Sequence, residues 1–299
     1  MKKALLLSVL LLLLFGCAAL AEPGLRVVAA NFPCYDFARQ LLGDAGEVSM
    51  LIRPGVEVHS FEPTPADILS VSDADLFVYI GGEGDAWADD MLSGLEGQGP
   101  ARLRMMDAVT PIEEEGEEHT HGEPEYDEHI WTSPKNAIAM VRALSDALCE
   151  LDPGRAEAYR AAASEYIEQI TEIDAAFSDI AASAVRHELV FADRFPFLYF
   201  VREYGLDYIA AFPSCTAETE PTPQTMLGLI QRVQQDGIPV IYVIEMSTRS
   251  VARTVAEETG AAIREMHSLQ TVTQAEFDAG ESYVSLMRRN VEAVREGLS

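Results

Sequence analysis

The chain has 299 residues, 48% of them hydrophobic, which is enough to fill the cores of two ordinary domains. Its formal net charge of −28 argues against nucleic acid as a partner, because phosphate would be repelled over most of the surface, and is compatible with cations as ligands.

The N-terminal stretch "MKKALLLSVLLLLLFGC" has two lysines, a leucine-rich run and then small residues, the layout of a secretory signal. The run is too short to span a bilayer comfortably. Cys17 follows "LLFG", close to the pattern of bacterial lipoproteins, so residues 1–17 are expected to be a signal peptide ending at a lipidated Cys17; plain cleavage near "AALAE" is the alternative. The mature chain is then extracytoplasmic, anchored to the outer face of the cell membrane, or else secreted or periplasmic. Cys34, Cys149 and Cys215 remain, an odd number that permits at most one internal pair.

From Leu25 the pattern alternates strands with helices. "LRVVAA" suits a buried strand and "FARQLLG" a helix with a Gly stop. "VSMLIRPG" reads as a second strand and turn, and "TPADILSVSDA" as a helix capped by Thr64 with Pro65 at its first position, before the strand "DLFVYIGG". Residues 99–128 break this rhythm with Gly, Pro and acidic residues and are expected to form an exposed loop. A helix follows in "KNAIAMVRALSDALCELD", then a stretch without Pro or Gly from Arg155 to Val185, about 45 Å long as a helix. Beyond it the βα rhythm resumes through "HELVFAD", "PFLYFVREYG", "LDYIAAF", "TPQTMLGLIQRVQQDG", "IPVIYVIEM", "SVARTVAEETG" and "AAIREMHSL", and "ESYVSLMRRNVEAVREGL" closes the chain as an amphipathic helix. The expected fold is α/β: two lobes with mainly parallel sheets, residues 25–150 and 187–299, joined by a connecting helix over 151–186.

The segment Glu113 to Pro134, "EEEGEEHTHGEPEYDEHIWTSP", places three of the six histidines among nine carboxylates. By composition alone a solvated acidic loop is the simpler reading. His59, His129 and His267, however, fall at or near the ends of predicted strands, where open α/β sheets bind ligands, so they could converge in a cleft between the lobes. Cys34 and Cys215 also follow predicted strand ends and could meet there, whereas Cys149 on an apolar helix face reads as a buried small hydrophobe.

Several segments resemble the metal-binding solute-binding proteins of ABC importers for zinc and manganese, the cluster A-I or TroA-like family. "PGVEVHSFEPTPADI" is similar to its Pro-Gly-x-x-x-His-x-Tyr/Phe-Glu-Pro-Thr-Pro-x-Asp segment, "DEHIWTSPKNAIAMV" to its Asp-x-His-x-Trp segment, and "ETGAAIREMHSL" to the late strand that delivers the last ligand. The likeness covers nearly the whole mature chain. It implies His59, His129 and His267 as metal ligands. The remaining ligand of the family, a His or Glu, falls at Arg194 in "FADRFPFLYFVREYGL"; arginine stays protonated and cannot serve, so the adjacent Asp193 is assigned, with Glu218 and Glu220 as reserves. Three imidazoles and a carboxylate suit Zn²⁺, with Mn²⁺ as the alternative. His119 and His121 would capture metal at the cleft mouth. The resemblance further implies a monomer that hands its ion to a membrane permease of an ABC transporter. It does not imply an enzyme, and no HExxH or GxSxG motif occurs. A metal-dependent hydrolase with an open coordination position, or a manganese receptor or adhesin, are the rival readings.

Overall fold

The computed structural model describes residues 24–95, 97, 99–113, 126–212 and 221–299. The signal segment with Cys17, the capture histidines His119 and His121, and Cys215, Glu218 and Glu220 lie outside the described residues. No helix among the described residues is long and apolar enough to cross a membrane.

Two four-stranded, all-parallel sheets form the frame. The first runs in the order β2 (Gly46–Met50), β1 (Leu25–Ala29), β3 (Leu76–Tyr79), β4 (Ala101–Arg104); the second runs β6 (Asp207–Ala210), β5 (Glu188–Phe191), β7 (Val240–Val243), β8 (Ala262–Glu265). In each, the first strand of the lobe lies inside the sheet, with its successor on one side and the third strand on the other. Val28 pairs with both Ser49 and Phe77, and Phe191 with both Ala210 and Tyr242. Each sheet therefore has a topological switch beside its first strand, and the crevice beyond the strand ends there is the place for a ligand.

Helices cover the sheets: α1 (Phe32–Leu42), α2 (Pro65–Ser72), α3 (Ala86–Gly94), α4 (Pro134–Leu151), α5 (Ala156–Ser183), α6 (Leu198–Tyr204), α7 (Pro223–Asp236), α8 (Ser250–Thr259), α9 (Gln274–Asp278) and α10 (Tyr283–Leu298). Parallel strands need such crossovers, and their doubly covered faces explain the unbroken burial of β3 and β7. The 28-residue α5 is about 42 Å long. Its buried stripe of Tyr159, Ala163, Tyr166, Ile170, Ile173, Phe177 and Ile180 recurs at alternating steps of four and three, and α5 packs against α1, α4, α6 and α10. One apolar core consequently runs from β1 through α4 and α5 to β7 and α10.

Asp36 pins three helices inside that core. From α1 its carboxylate accepts the Tyr166 hydroxyl of α5, the Tyr283 N–H of α10 at 2.9 Å and the Arg39 side chain. Tyr166→Phe leaves the ring's packing but removes one bond to a buried charge, so it is expected to cost about 1–2 kcal/mol in urea denaturation. No measurable loss would mean that the bond adds nothing to the helix junction.

One sequence expectation is corrected here. The stretch taken as an exposed loop over 99–128 contains β4, which pairs in parallel with β3, and a 3-10 turn over Met105–Ala108. "ARLR" hides a strand because it is short, lies at the sheet edge and carries two arginines there, as edge strands often do.

Candidate metal centre

His59 sits in the turn between β2 and α2. That turn is fixed on both sides: the Gly55 N–H donates to the Val272 carbonyl of the second lobe at 2.8 Å, and Phe61 packs edge-on against Trp87 with centroids 4.9 Å apart. His129 precedes a 3-10 turn, Ile130–Thr132, that leads into α4, and is buried. Hydrogen bonds to the second lobe clamp its segment. The Tyr199 hydroxyl donates to the Asp127 carbonyl, the Tyr283 hydroxyl to the Trp131 carbonyl, and the Trp131 Nε1–H to the Ser268 carbonyl, each at 2.8 Å. The two histidines thus come from separate segments of the first lobe and meet at the lobe junction, with ring centroids 5.7 Å apart.

Each imidazole has a carboxylate on its Nδ1 side: Glu128 Oε1 lies 3.0 Å from His59 Nδ1, and Asp127 Oδ1 lies 3.3 Å from His129 Nδ1. With Nδ1–H directed at a carboxylate, each ring presents its Nε2 lone pair, the arrangement usual for metal-binding histidines. Both Nε2 atoms face the amide of Gln270, at 2.8 Å for His59 and 3.5 Å for His129. Among the described residues, His59, Glu128 and His129 bring nitrogen and carboxylate oxygen atoms within 4.8 Å of one another, close enough to hold a metal ion.

Glu128 also accepts the Gly84 N–H at 2.9 Å, and a Cβ at residue 84 would lie 2.4 Å from its carboxylate, so any larger residue there would shift the Glu128 side chain. Burial works against its charge, but the hydrogen bond from His59 and electrostatic attraction to the His129 and His59 rings outweigh this and hold its carboxyl below the ordinary value. Behind it, Asp85 accepts the Ile80 and Gly81 N–H groups through one oxygen, at 2.8 and 3.1 Å. Burial, reinforced by the charge of Glu128, pushes its carboxyl up to about 7.

The structure does not bring Asp193 or His267 into the His59–Glu128–His129 group. Asp193 follows β5, and its two oxygens accept the Arg194 N–H at 2.9 Å and the Ile244 N–H at 3.4 Å. It lines a cavity of about 120 Å³ together with Val56, Glu57, Arg194, Glu245 and Gln270. Arg194 reaches across to Glu57 of the first lobe at 3.3 Å. His267 is buried, and its Nδ1 accepts the Leu269 N–H at 2.9 Å, which leaves Nε2 on the side of Glu276, 3.7 Å away. The physical reason is a tight turn: Leu269 adopts φ 64° and folds its N–H back onto the ring. Its Nε2 is buried without a hydrogen-bond partner among the described residues, while its Nδ1 is tied to the turn that carries Gln270.

Glu128, Asp127 and Gln270 escaped the sequence reading. The first two were visible as the carboxylates preceding His129 in "DEH", close enough to reach an imidazole nitrogen. Gln270 carries no charge and no motif; only the folded turn aims it at the two rings.

The chain matches the family described as zinc-uptake complex component A, periplasmic (ZnuA), over residues 27–297. It belongs to the ZnuA family. That family is a component of metal uptake and not an enzyme, which agrees with the resemblance read from the motifs. The zinc-binding protein AdcA of Streptococcus pyogenes serotype M3 is 30% identical over 318 residues, covering 99% of this chain and 61% of the relative. The high-affinity zinc uptake system protein ZnuA of Bacillus subtilis is 31% identical over 282 residues, covering 92% of this chain and 88% of the relative. Among solved structures, the Zn(II)-bound ZnuA-like domain of Streptococcus pneumoniae AdcA aligns with a TM-score of 0.79 at 28% identity, over 92% of this chain and 99% of that domain. The metal-dependent lipoprotein YcdH of Bacillus subtilis aligns equally well, at TM-score 0.79 and 28% identity, over 92% and 100% of the two chains. The chain spans about 61% of the length of the AdcA relatives.

Proposed function

We propose that this ZnuA-family protein is an extracytoplasmic zinc receptor that loads one Zn²⁺ at the lobe junction and hands it to the permease of an ABC importer. The observation that carries the reading is the pair of imidazoles, His59 and His129, each turned by a carboxylate so that its Nε2 faces a common point. Two nitrogen donors in a dry, acidic junction suit zinc better than manganese, which prefers more oxygen. Asp193, on the cavity beside that point, is the second-lobe carboxylate kept in the proposal, while His267 supports the turn behind it. Binding of zinc by the named relatives and the family's place in uptake support the same conclusion. Anchoring at the outer face of the cell membrane through Cys17, and action as a monomer, complete the proposal.

The test is a competitive titration of the metal-free protein with Zn²⁺ and Mn²⁺. One zinc per chain, held more tightly than manganese and weakened about tenfold or more by Asp193→Ala, is the expected result. A tight preference for manganese would overturn the nitrogen-rich site. Unchanged zinc affinity in Asp193→Ala would remove that residue from the ligand set.

A further inference from the structure

The same tetrapeptide leads into one helix of each lobe. Glu62-Pro63-Thr64-Pro65 opens α2 and Glu220-Pro221-Thr222-Pro223 opens α7, and both segments run on to a leucine in the eighth place, "EPTPADIL" and "EPTPQTML". The likeness extends to the fold. Each helix joins the second strand of its lobe to the third, and a threonine caps it in the same way: Thr64 Oγ1 accepts the Asp67 N–H at 3.3 Å, and Thr222 Oγ1 the Thr225 N–H at 3.1 Å. From Pro63 to Ser72 and from Pro221 to Ile230, buried, half-buried and exposed residues follow one another in the same order. The two sheets share their strand order as well, so the lobes repeat one plan.

Leu69 and Leu227 hold the same place in that repeat, and they are 66% and 54% exposed. The side of each helix turned to its sheet is already filled, by Ile68 and Val71 in the first lobe and by Met226 and Leu229 in the second. Neither leucine is therefore needed to pack its own helix. A single exposed apolar residue is ordinary on any surface. Two in the same register of a repeat offer one contact geometry twice, once from each lobe. A crossover helix starts beyond the carboxyl end of one strand and returns to the start of the next, so both helices begin on the ligand-binding side of their sheets.

Charge indicates what would cover these leucines. No lysine or arginine occurs from Pro54 to Ala101 or from Glu203 to Gln231, the two stretches that contain them, while both stretches carry carboxylates. A second copy of this chain would bring like charge against like, so the complementary surface is an apolar pocket with a cationic rim. We propose that Leu69 and Leu227 are paired anchors by which the protein docks on the permease of its importer, and that the permease presents the receiving pocket twice, through two like subunits related by a two-fold axis. The inference rests on the importer reading given above. A partner with one such pocket would engage one lobe and leave the other leucine in water, whereas a two-fold pair of subunits seats both.

The test replaces the gene in its own cell by Leu69→Gln, Leu227→Gln, the double variant or Leu151→Gln, the last an exposed leucine outside the repeat. The initial rate of radioactive zinc uptake is measured under zinc limitation, and zinc affinity is measured on the purified chains. Each single variant is expected to lower uptake about tenfold, the worth of one buried leucine, and the double variant further, with zinc affinity unchanged throughout and Leu151→Gln behaving as wild type. Normal uptake by the double variant would overturn the proposal, and a loss confined to one of the two positions would overturn the pairing. A second readout is direct: a benzophenone amino acid at position 69 or at position 227 should crosslink to the same segment of the permease. Crosslinks to different segments, or to the permease from neither position, would overturn the two-fold partner even if uptake falls for another reason. Zinc uptake that persists when the gene is deleted would instead overturn the importer reading, and this proposal with it.

Discussion

His129→Ala is expected to lower zinc affinity by more than about a hundredfold, and His59→Ala by a similar factor. The argument is one of ordering. Removing a group that only orients a metal-binding histidine typically costs about 10- to 100-fold in affinity. Asp127 and Glu128 stand in that relation to His129 and His59, at 3.3 and 3.0 Å from the Nδ1 atoms. Loss of the ring itself removes a donor outright and must exceed loss of its support. Competitive titration of His129→Ala beside Asp127→Asn checks this, and a smaller loss in His129→Ala than in Asp127→Asn would sink the assignment. Because His129 is buried beside Trp131, thermal unfolding of the metal-free variants is a needed companion. A ligand that binds only the folded chain raises its stability by mass action, so excess zinc should raise the melting temperature of the wild type and leave that of His129→Ala almost unmoved.

Asp85→Asn is expected to stabilise the metal-free protein at pH 8 by about 2–3 kcal/mol. Asp85 is 4% exposed, and burial together with the charge of Glu128 raises its carboxyl from 3.8 to about 7. Between about pH 4 and 7 the folded chain therefore retains a proton that the unfolded chain has released, so this group's contribution becomes less favourable as pH rises, reaching a full penalty of about 4 kcal/mol above pH 7. An amide cannot ionise, and its single oxygen can accept both N–H groups that Asp85 holds through one oxygen. The gain should shrink as the pH is lowered and vanish near pH 4. Urea denaturation of both proteins at pH 5, 6 and 8 measures it; an asparagine variant no more stable than the wild type at pH 8 would show that the carboxylate is fully compensated in the fold. The penalty is tolerated in a plausible place, since Asp85 sits directly behind the site where a cation would offset the charge of Glu128.

Most of the frame was legible from local pattern. Apolar runs of strand length, Thr64 as a helix cap and Pro65 in the first turn mark elements where the structure places them. These signals are carried by residues close in the chain, and parallel strands covered on both faces leave nearly continuous apolar runs. β4 was not legible because an edge strand is defined by its neighbour β3 and not by its own residues. At the site, His59 and His129 stood out because imidazoles at strand ends are scarce and chemically distinctive. His267 lies just after β8, as its place in the sequence indicates, and its Nδ1 accepts the Leu269 N–H of the turn that carries Gln270.

What the sequence by itself determined is the two-lobed α/β plan, the connecting helix and two of the residues that face the junction, because each of these depends on local periodicity or on a single side chain's chemistry. Tertiary structure alone decided which atoms meet there. The pairing of Glu128 with His59, the clamp of Tyr199, Ser268 and Tyr283 on the His129 segment, and the amide of Gln270 between two rings all join residues distant in sequence. Such contacts follow from how two sheets and their turns pack on one shared core.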